Sequence, residues 1–209
     1  MLLNLLFQQP GVAILLLLAI IVVISVHEYS HALAGYLLGD KTAEHEGRLT
    51  LNPLSHLDLM GSLMLIIVGF GWGRPVPFNP YNLRWPKWGP AAVSLAGPVS
   101  NFIMAFVFAG ILALIRPTYG VDNYLTLFLI FLVMYSVGLG LFNLIPIPPL
   151  DGSRVLLTLL PHRYDWLAIW LQRNGFWLLI GLLIVLQFSD QGFFLHVVNA
   201  ILGLFGLQL

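Results

Sequence analysis

Three stretches of this chain stay apolar for long enough to cross a lipid bilayer: "GVAILLLLAIIVVISVHEYSHALAGYLL", "AAVSLAGPVSNFIMAFVFAGILALI" and "YLTLFLIFLVMYSVGLGLFNLIPIPPL". Spanning ~30 Å of hydrocarbon takes about 20 helical residues, and only a helix or a closed barrel satisfies its own backbone there. Each stretch therefore predicts a transmembrane helix. Two C-terminal runs, "GFWLLIGLLIVLQF" and "GFFLHVVNAILGLFGLQL", extend the pattern, the first needing flanking residues to reach across. The run "LMGSLMLIIVGFGWG" is shorter and broken by Gly61, Gly69, Gly71 and Gly73, which predicts a re-entrant or interfacial hairpin. With 59% hydrophobic and 9% charged residues and a mean hydropathy of +0.91, charge cannot cover a soluble surface. The expected fold is an all-α polytopic membrane protein of about five to six transmembrane or re-entrant segments. A small loop or β-hairpin element follows the first helix, where "RLTLNPL" alternates apolar and polar residues.

If the hairpin does not cross, Lys41, Arg48, Arg74, Arg84, Lys87, Arg154, Arg163 and Arg173 share one side and only Arg116 lies on the other. Basic residues accumulate in the cytoplasm, so the expectation is a multi-pass protein of the cytoplasmic membrane with its N-terminus outside. The first apolar run is longer than the core of a signal peptide and reads as retained. Residues 1–209 are expected to form one membrane-embedded domain, with a core over 11–160 and C-terminal hydrophobic segments over 175–209. The formal charge is zero and no block of like charges occurs, which argues against a nucleic-acid partner. With no cysteine, disulfides and thiolate metal sites are excluded. Nothing in the sequence sets an oligomeric state.

Near the end of the first run stands "ISVHEYSHAL". His27 and His31 are four residues apart, so on a helix they project from one face and can close on a single metal ion. Glu28 beside them suits a general base acting on water activated by that metal. Six histidines and three glutamates would produce this five-residue pattern by chance about 0.002 times. Ionisable groups at membrane depth cost at least ~2.5 kcal/mol each and are usually functional. A catalytic zinc wants a third protein ligand and an open position. Candidates for that ligand are Asp151, His56, Asp58, His45, His162 and His196. Asp151 stands out, because three prolines in "NLIPIPPL" oppose a regular helix just before it. Gly152 would allow close approach after it. A plain turn closing a helix remains the alternative for "PPLDG".

These residues resemble the site-2 protease family of intramembrane zinc metalloproteases, in its compact prokaryotic form without PDZ or CBS domains. Three motifs carry the resemblance, "HEYSH", "AGPVSN" and "NLIPIPPLDG", supported by the loop "GDKTAEHEGRLTLNPLSHLD". The resemblance implies that His27, His31 and Asp151 hold one zinc, that Glu28 is the general base and that Asn143 donates to the developing oxyanion; the alternative for Asn143 is an asparagine satisfying freed backbone carbonyls beside the prolines. It also implies a membrane-anchored protein substrate cut within or near its transmembrane segment. In "AGPVSN", Ala96 and Gly97 read as helix packing, and Asn101 as a candidate hydrogen-bond partner beside the site. One departure is Leu59, where compact members commonly carry a proline after the loop aspartate. His56 reads as a solvated loop histidine, with a role beside the site or in gating as the alternative. Two competing functions are a metal transporter and a non-catalytic membrane scaffold. The transporter would need polar groups beyond "GVAILLLLAIIVVI", which has none.

Overall fold

A computed structural model of the protein describes residues 2–68, 71–119, 123–188 and 192–207. Its helices in chain order are α1 (Leu2–Gln8), α2 (Pro10–Leu37), α3 (Thr42–His45), α4 (Leu59–Val68), α5 (Gly89–Tyr119), α6 (Tyr124–Asn143), α7 (Asp151–Leu159), α8 (Asp165–Phe188) and α9 (Gly192–Gly203). Among the described residues, four helices are long and apolar enough to cross a membrane, within α2, α5, α6 and the segment His162–Val185. The run that looked short, "GFWLLIGLLIVLQF", does borrow its preceding residues, since α8 begins at Asp165. The protein is an all-α polytopic membrane protein.

The bundle centres on α2, α5 and α6, which pack on one another, with α9 closing the far end. Small residues set the spacing. Ala19 and Val23 of α2 and Ala105 and Ala109 of α5 are buried against Leu132, Val133 and Val137 of α6. In lipid no hydrophobic force drives helices together, so close backbone approach through small side chains supplies the packing contacts instead. Large apolar side chains face outward where lipid lies, among them Ile14, Leu18, Ile103, Val107 and Leu114. Polar caps finish the spans: the Asn123 side chain accepts from the Thr126 backbone N–H at the start of α6.

Between α2 and α5 the chain forms a polar loop with its own small core of Ala32, Ala43 and Val76, against which Leu49 packs. α4 has ten residues, or about 15 Å at 1.5 Å per residue, half of what a crossing needs. Asp58 starts it by accepting the Gly61 backbone N–H at 2.7 Å. The chain then returns alongside α4, because a Cβ on Gly61 would lie 2.1 Å from the Trp72 carbonyl oxygen. An antiparallel bridge pairs Leu57 with Gly73. The described residues on either side of 69–70 thus lie against one another, with Leu57 paired to Gly73; Gly69 lies outside the described residues.

The strand suggested by "RLTLNPL" does not form: among the described residues this stretch is loop and bend, and the bridge at Leu57 is isolated. The loop alternative is the one that forms. Arg48 is turned inward and buried, donating from Nη2 to the Arg74 carbonyl at 2.5 Å, while Leu51 and Leu54 are exposed.

Candidate metal centre

The site is built on α2, α5 and the start of α7. His27 and His31 lie one turn apart on α2, both buried at 4% and 8% exposure. His27 stands ten residues before Leu37, so the pair sits ~15 Å or less from the end of that span. Asp151 arrives from the other side as the first residue of α7, directly after the proline-broken turn. That turn is tight because Gly152 has no side chain: a Cβ there would meet the Leu144 carbonyl oxygen at 2.1 Å. Asp151 Oδ2 lies 3.2 Å from His27 Nε2 and 3.2 Å from His31 Nε2, and the two Nε2 atoms are 3.0 Å apart.

A tetrahedral ion bonded at about 2.0–2.1 Å holds its donor atoms ~3.3 Å apart, close to the sides of this triangle. Asp151 Oδ2 is also buried, and its neighbours at 3.2 Å are the two imidazole Nε2 atoms, neither of them in hydrogen-bond geometry. A buried carboxylate oxygen without a well-aimed donor is costly, and a cation shared with two imidazoles removes that cost. Among the described residues, this is the one group of three or more His, Asp or Glu side chains that could hold a metal ion.

The other candidate ligands are elsewhere. His45 and His162 are exposed, the latter beside Asp165 at 3.7 Å. His196 is exposed on α9, and Asp58 caps α4. His56 is not the solvated loop histidine expected from the sequence. It is 0% exposed, with Nε2 2.7 Å from the Thr50 carbonyl and its own carbonyl accepting the Arg74 backbone N–H at 2.7 Å. Its neighbours in sequence suggested solvent, but the hairpin folds back over it.

Glu28 projects toward the returning limb of that hairpin, where its Oε2 accepts the Val76 backbone N–H at 3.2 Å. Asn143 is the last residue of α6, and its side-chain amide donates to the Leu139 carbonyl one turn earlier at 3.0 Å. Asn101 of α5 is fully buried, with its amide nitrogen 3.1 Å from His27 Nδ1. His31 Nδ1 lies 2.7 Å from the Val93 carbonyl, also on α5.

Two contributions escaped sequence reasoning. Val93 acts through its backbone, which a side-chain pattern cannot reveal. Gly97 does more than let helices approach: a Cβ there would lie 2.4 Å from His31 Nε2 and 2.6 Å from His27 Cε1. Glycine leaves the room in which the two rings converge. The spacing of Val93, Gly97 and Asn101, four residues each, was the available signal.

Around the site, Asp40 organises the loop at the end of α2. It is 1% exposed and accepts from the Thr42 hydroxyl at 2.6 Å, the Thr42 N–H at 3.1 Å, the Asn79 N–H at 2.7 Å and the Asn82 amide at 3.0 Å. Burial alone would raise its pKa, but the hydrogen bonds from Thr42, Asn82 and Asn79 outweigh it and hold the carboxyl below its ordinary value.

Comparison with known proteins gives a consistent result. The family model described as Peptidase family M50 matches residues 118–186, the part that carries Asp151. "Putative zinc metalloprotease YwhC" of Bacillus subtilis is 41% identical over 155 residues, covering 70% of this chain and 69% of that protein. "Putative zinc metalloprotease Rip2" of Mycolicibacterium smegmatis is 36% identical over 151 residues, covering 70% of this chain and 57% of that protein. Its namesake in Mycobacterium tuberculosis is 31% identical over 206 residues, covering 95% of this chain and 76% of that protein. No solved structure matches the chain. With such relatives aligned over most of its length, the chain belongs to peptidase family M50, the site-2 protease family of zinc metalloproteases.

Proposed function

We propose that this metalloprotease is an intramembrane endopeptidase that hydrolyses a peptide bond within or near the transmembrane segment of a membrane-anchored protein, using one zinc ion per chain. The observation that carries this reading is the convergence of His27, His31 and Asp151 partway along a membrane-length helix, with Glu28 one residue from the first ligand. The whole chain acts as a single membrane-embedded domain in the cell membrane. Its N-terminus lies outside and the site toward the cytoplasm, in keeping with the side on which eight of nine basic residues gather.

Zinc held by the three side chains supplies Lewis acidity toward water and a peptide carbonyl. Glu28 takes the proton of the attacking water as the new C–O bond forms, then delivers it to the leaving amine nitrogen as the C–N bond breaks. Val76 N–H steadies Oε2 during this exchange and leaves Oε1 to carry the proton. Asn143 turns its amide from the Leu139 carbonyl toward the carbonyl oxygen that gains charge. The surrounding apolar helices keep bulk water out, which strengthens each of these interactions.

A metal transporter is disfavoured because α2 offers only apolar side chains from Gly11 to Ile24, and so no onward ligands toward the other face. The deciding experiment measures bound zinc and cleavage of model transmembrane substrates by the wild type, Glu28→Gln and Asp151→Ala. Glu28→Gln should keep zinc and lose cleavage, and Asp151→Ala should lose both. Full cleavage by Glu28→Gln would refute the assignment.

A further inference from the structure

The triangle of donors can hold a metal only if each imidazole keeps its ring proton on Nδ1 and turns the Nε2 lone pair inward. For His31 this is settled by its neighbour. The Val93 carbonyl 2.7 Å from Nδ1 can only accept, so Nδ1 carries the proton.

His27 faces a different kind of partner. The Asn101 side-chain amide 3.1 Å from its Nδ1 can donate through nitrogen or accept through oxygen. As it stands, the amide nitrogen faces the ring and Asn101 Oδ1 is buried with no hydrogen-bond partner among the described residues. That arrangement makes Nδ1 an acceptor. It places the His27 proton on Nε2, between His31 Nε2 at 3.0 Å and Asp151 Oδ2 at 3.2 Å, where a ligand lone pair is needed.

A half-turn of the amide about Cβ–Cγ exchanges its two ends in nearly the same space. One unpartnered amide atom replaces the other, so the His27 tautomer decides which orientation prevails. Asn101 is fully buried, and no bulk water competes for the ring.

We infer that Asn101 is a positioning residue: its amide oxygen accepts from His27 Nδ1–H and thereby holds His27 Nε2 as a ligand. This rests on the zinc reading above and assigns a partner to the His27 ring. α5 then orients both histidines, His31 through Val93 and His27 through Asn101, with Gly97 between them making room for the rings. An asparagine differs here from a backbone carbonyl in one respect, because it can also stabilise the wrong tautomer. Metal binding and the Asn101 orientation are therefore coupled.

The test is zinc affinity, read by competition with a chromophoric chelator on the full chain in nanodiscs, for the wild type, His27→Ala, Asn101→Leu and Asn101→Asp. Leucine keeps the volume without an acceptor, and aspartate keeps an acceptor. Asn101→Leu should weaken zinc binding about 10- to 100-fold, while Asn101→Asp should retain near wild-type affinity. Equal affinities in Asn101→Leu and the wild type, or equal losses in Asn101→Leu and Asn101→Asp, would overturn the inference while leaving the zinc site standing. If the wild type and His27→Ala bound zinc alike, the zinc reading itself would fall and the inference with it.

Discussion

The two halves of α2 are held in place by different physics. From Ala13 to Val23 the helix meets its neighbours through small apolar side chains, and position is set by shape alone. From Ser25 to Gly35 it buries histidines against named partners: the Val93 carbonyl, the Asn101 amide and the Asp151 carboxylate. Shape tolerates compensation, since a neighbour can repack. A buried polar atom does not, because each missing partner costs about 1–3 kcal/mol. Facing the second half, Asp151 Oδ2 and Asn101 Oδ1 are buried without a contact in hydrogen-bond geometry among the described residues, and both lie beside the two histidines.

The two halves of α2 should differ most at Glu28. Glu28→Gln should lower the cleavage rate by about 10²–10⁴-fold, the usual contribution of a general base, with zinc content and thermal stability unchanged. A change confined to the polar half would then remove chemistry without touching packing. Gly97→Ala should act through the metal, since its methyl group would lie within van der Waals contact of both histidine rings. Overpacking of about 1–3 kcal/mol corresponds to roughly ten- to hundredfold weaker zinc binding. An unchanged chelator titration for that variant would show that the rings can move aside.

In the apolar half the expected pattern is reversed. Leu132→Ala opens a cavity in the bundle core, where the cost is lost packing contacts of about 2 kcal/mol. Thermal unfolding in detergent should register it, and zinc affinity should not. Coupling of the two would mean that the halves are not independent.

The smallest effect concerns Asp40, whose folded-state pKa is lowered. Such a carboxylate contributes its full stabilisation above the unfolded value of 3.8 and loses it as pH falls through the lower folded value. Amide exchange at Thr42 and Asn79 should therefore quicken only in that acid range. In Asp40→Asn it should be faster at neutral pH, with no acid step. An acid step that persists in Asp40→Asn would assign it to another group.

Much of this was legible in the chain before folding was considered. Hydrocarbon demands runs of a certain length, and α2, α5 and α6 fall where such runs fall. The interval between His27 and His31 equals a helical turn, so half of the metal site could be read as a local pattern. The prolines marked Asp151 as standing in irregular backbone, although several other residues could have been the third ligand on spacing alone. The alternation of "RLTLNPL" left a loop and a β-hairpin open, and the stretch is a loop, with Arg48 buried and Leu51 and Leu54 exposed. The solvated reading of His56 failed because of the folding-back of the hairpin over it, which no residue near His56 announces.

By itself, then, the sequence determined what belongs to single helices and to the solvent around them: which segments cross lipid, where a helix must break, and which two imidazoles share a face. Tertiary structure decided what depends on the approach of separate elements. It brought Asp151 to within 3.2 Å of both histidines, set the Val93 carbonyl and the Asn101 amide behind them, and laid Val76 against Glu28. The reason is physical. Local periodicity is encoded by neighbours along the chain, whereas the Val76–Glu28 hydrogen bond and the approach of Asp151 to His27 span gaps of 48 and 124 residues that only the packed bundle closes.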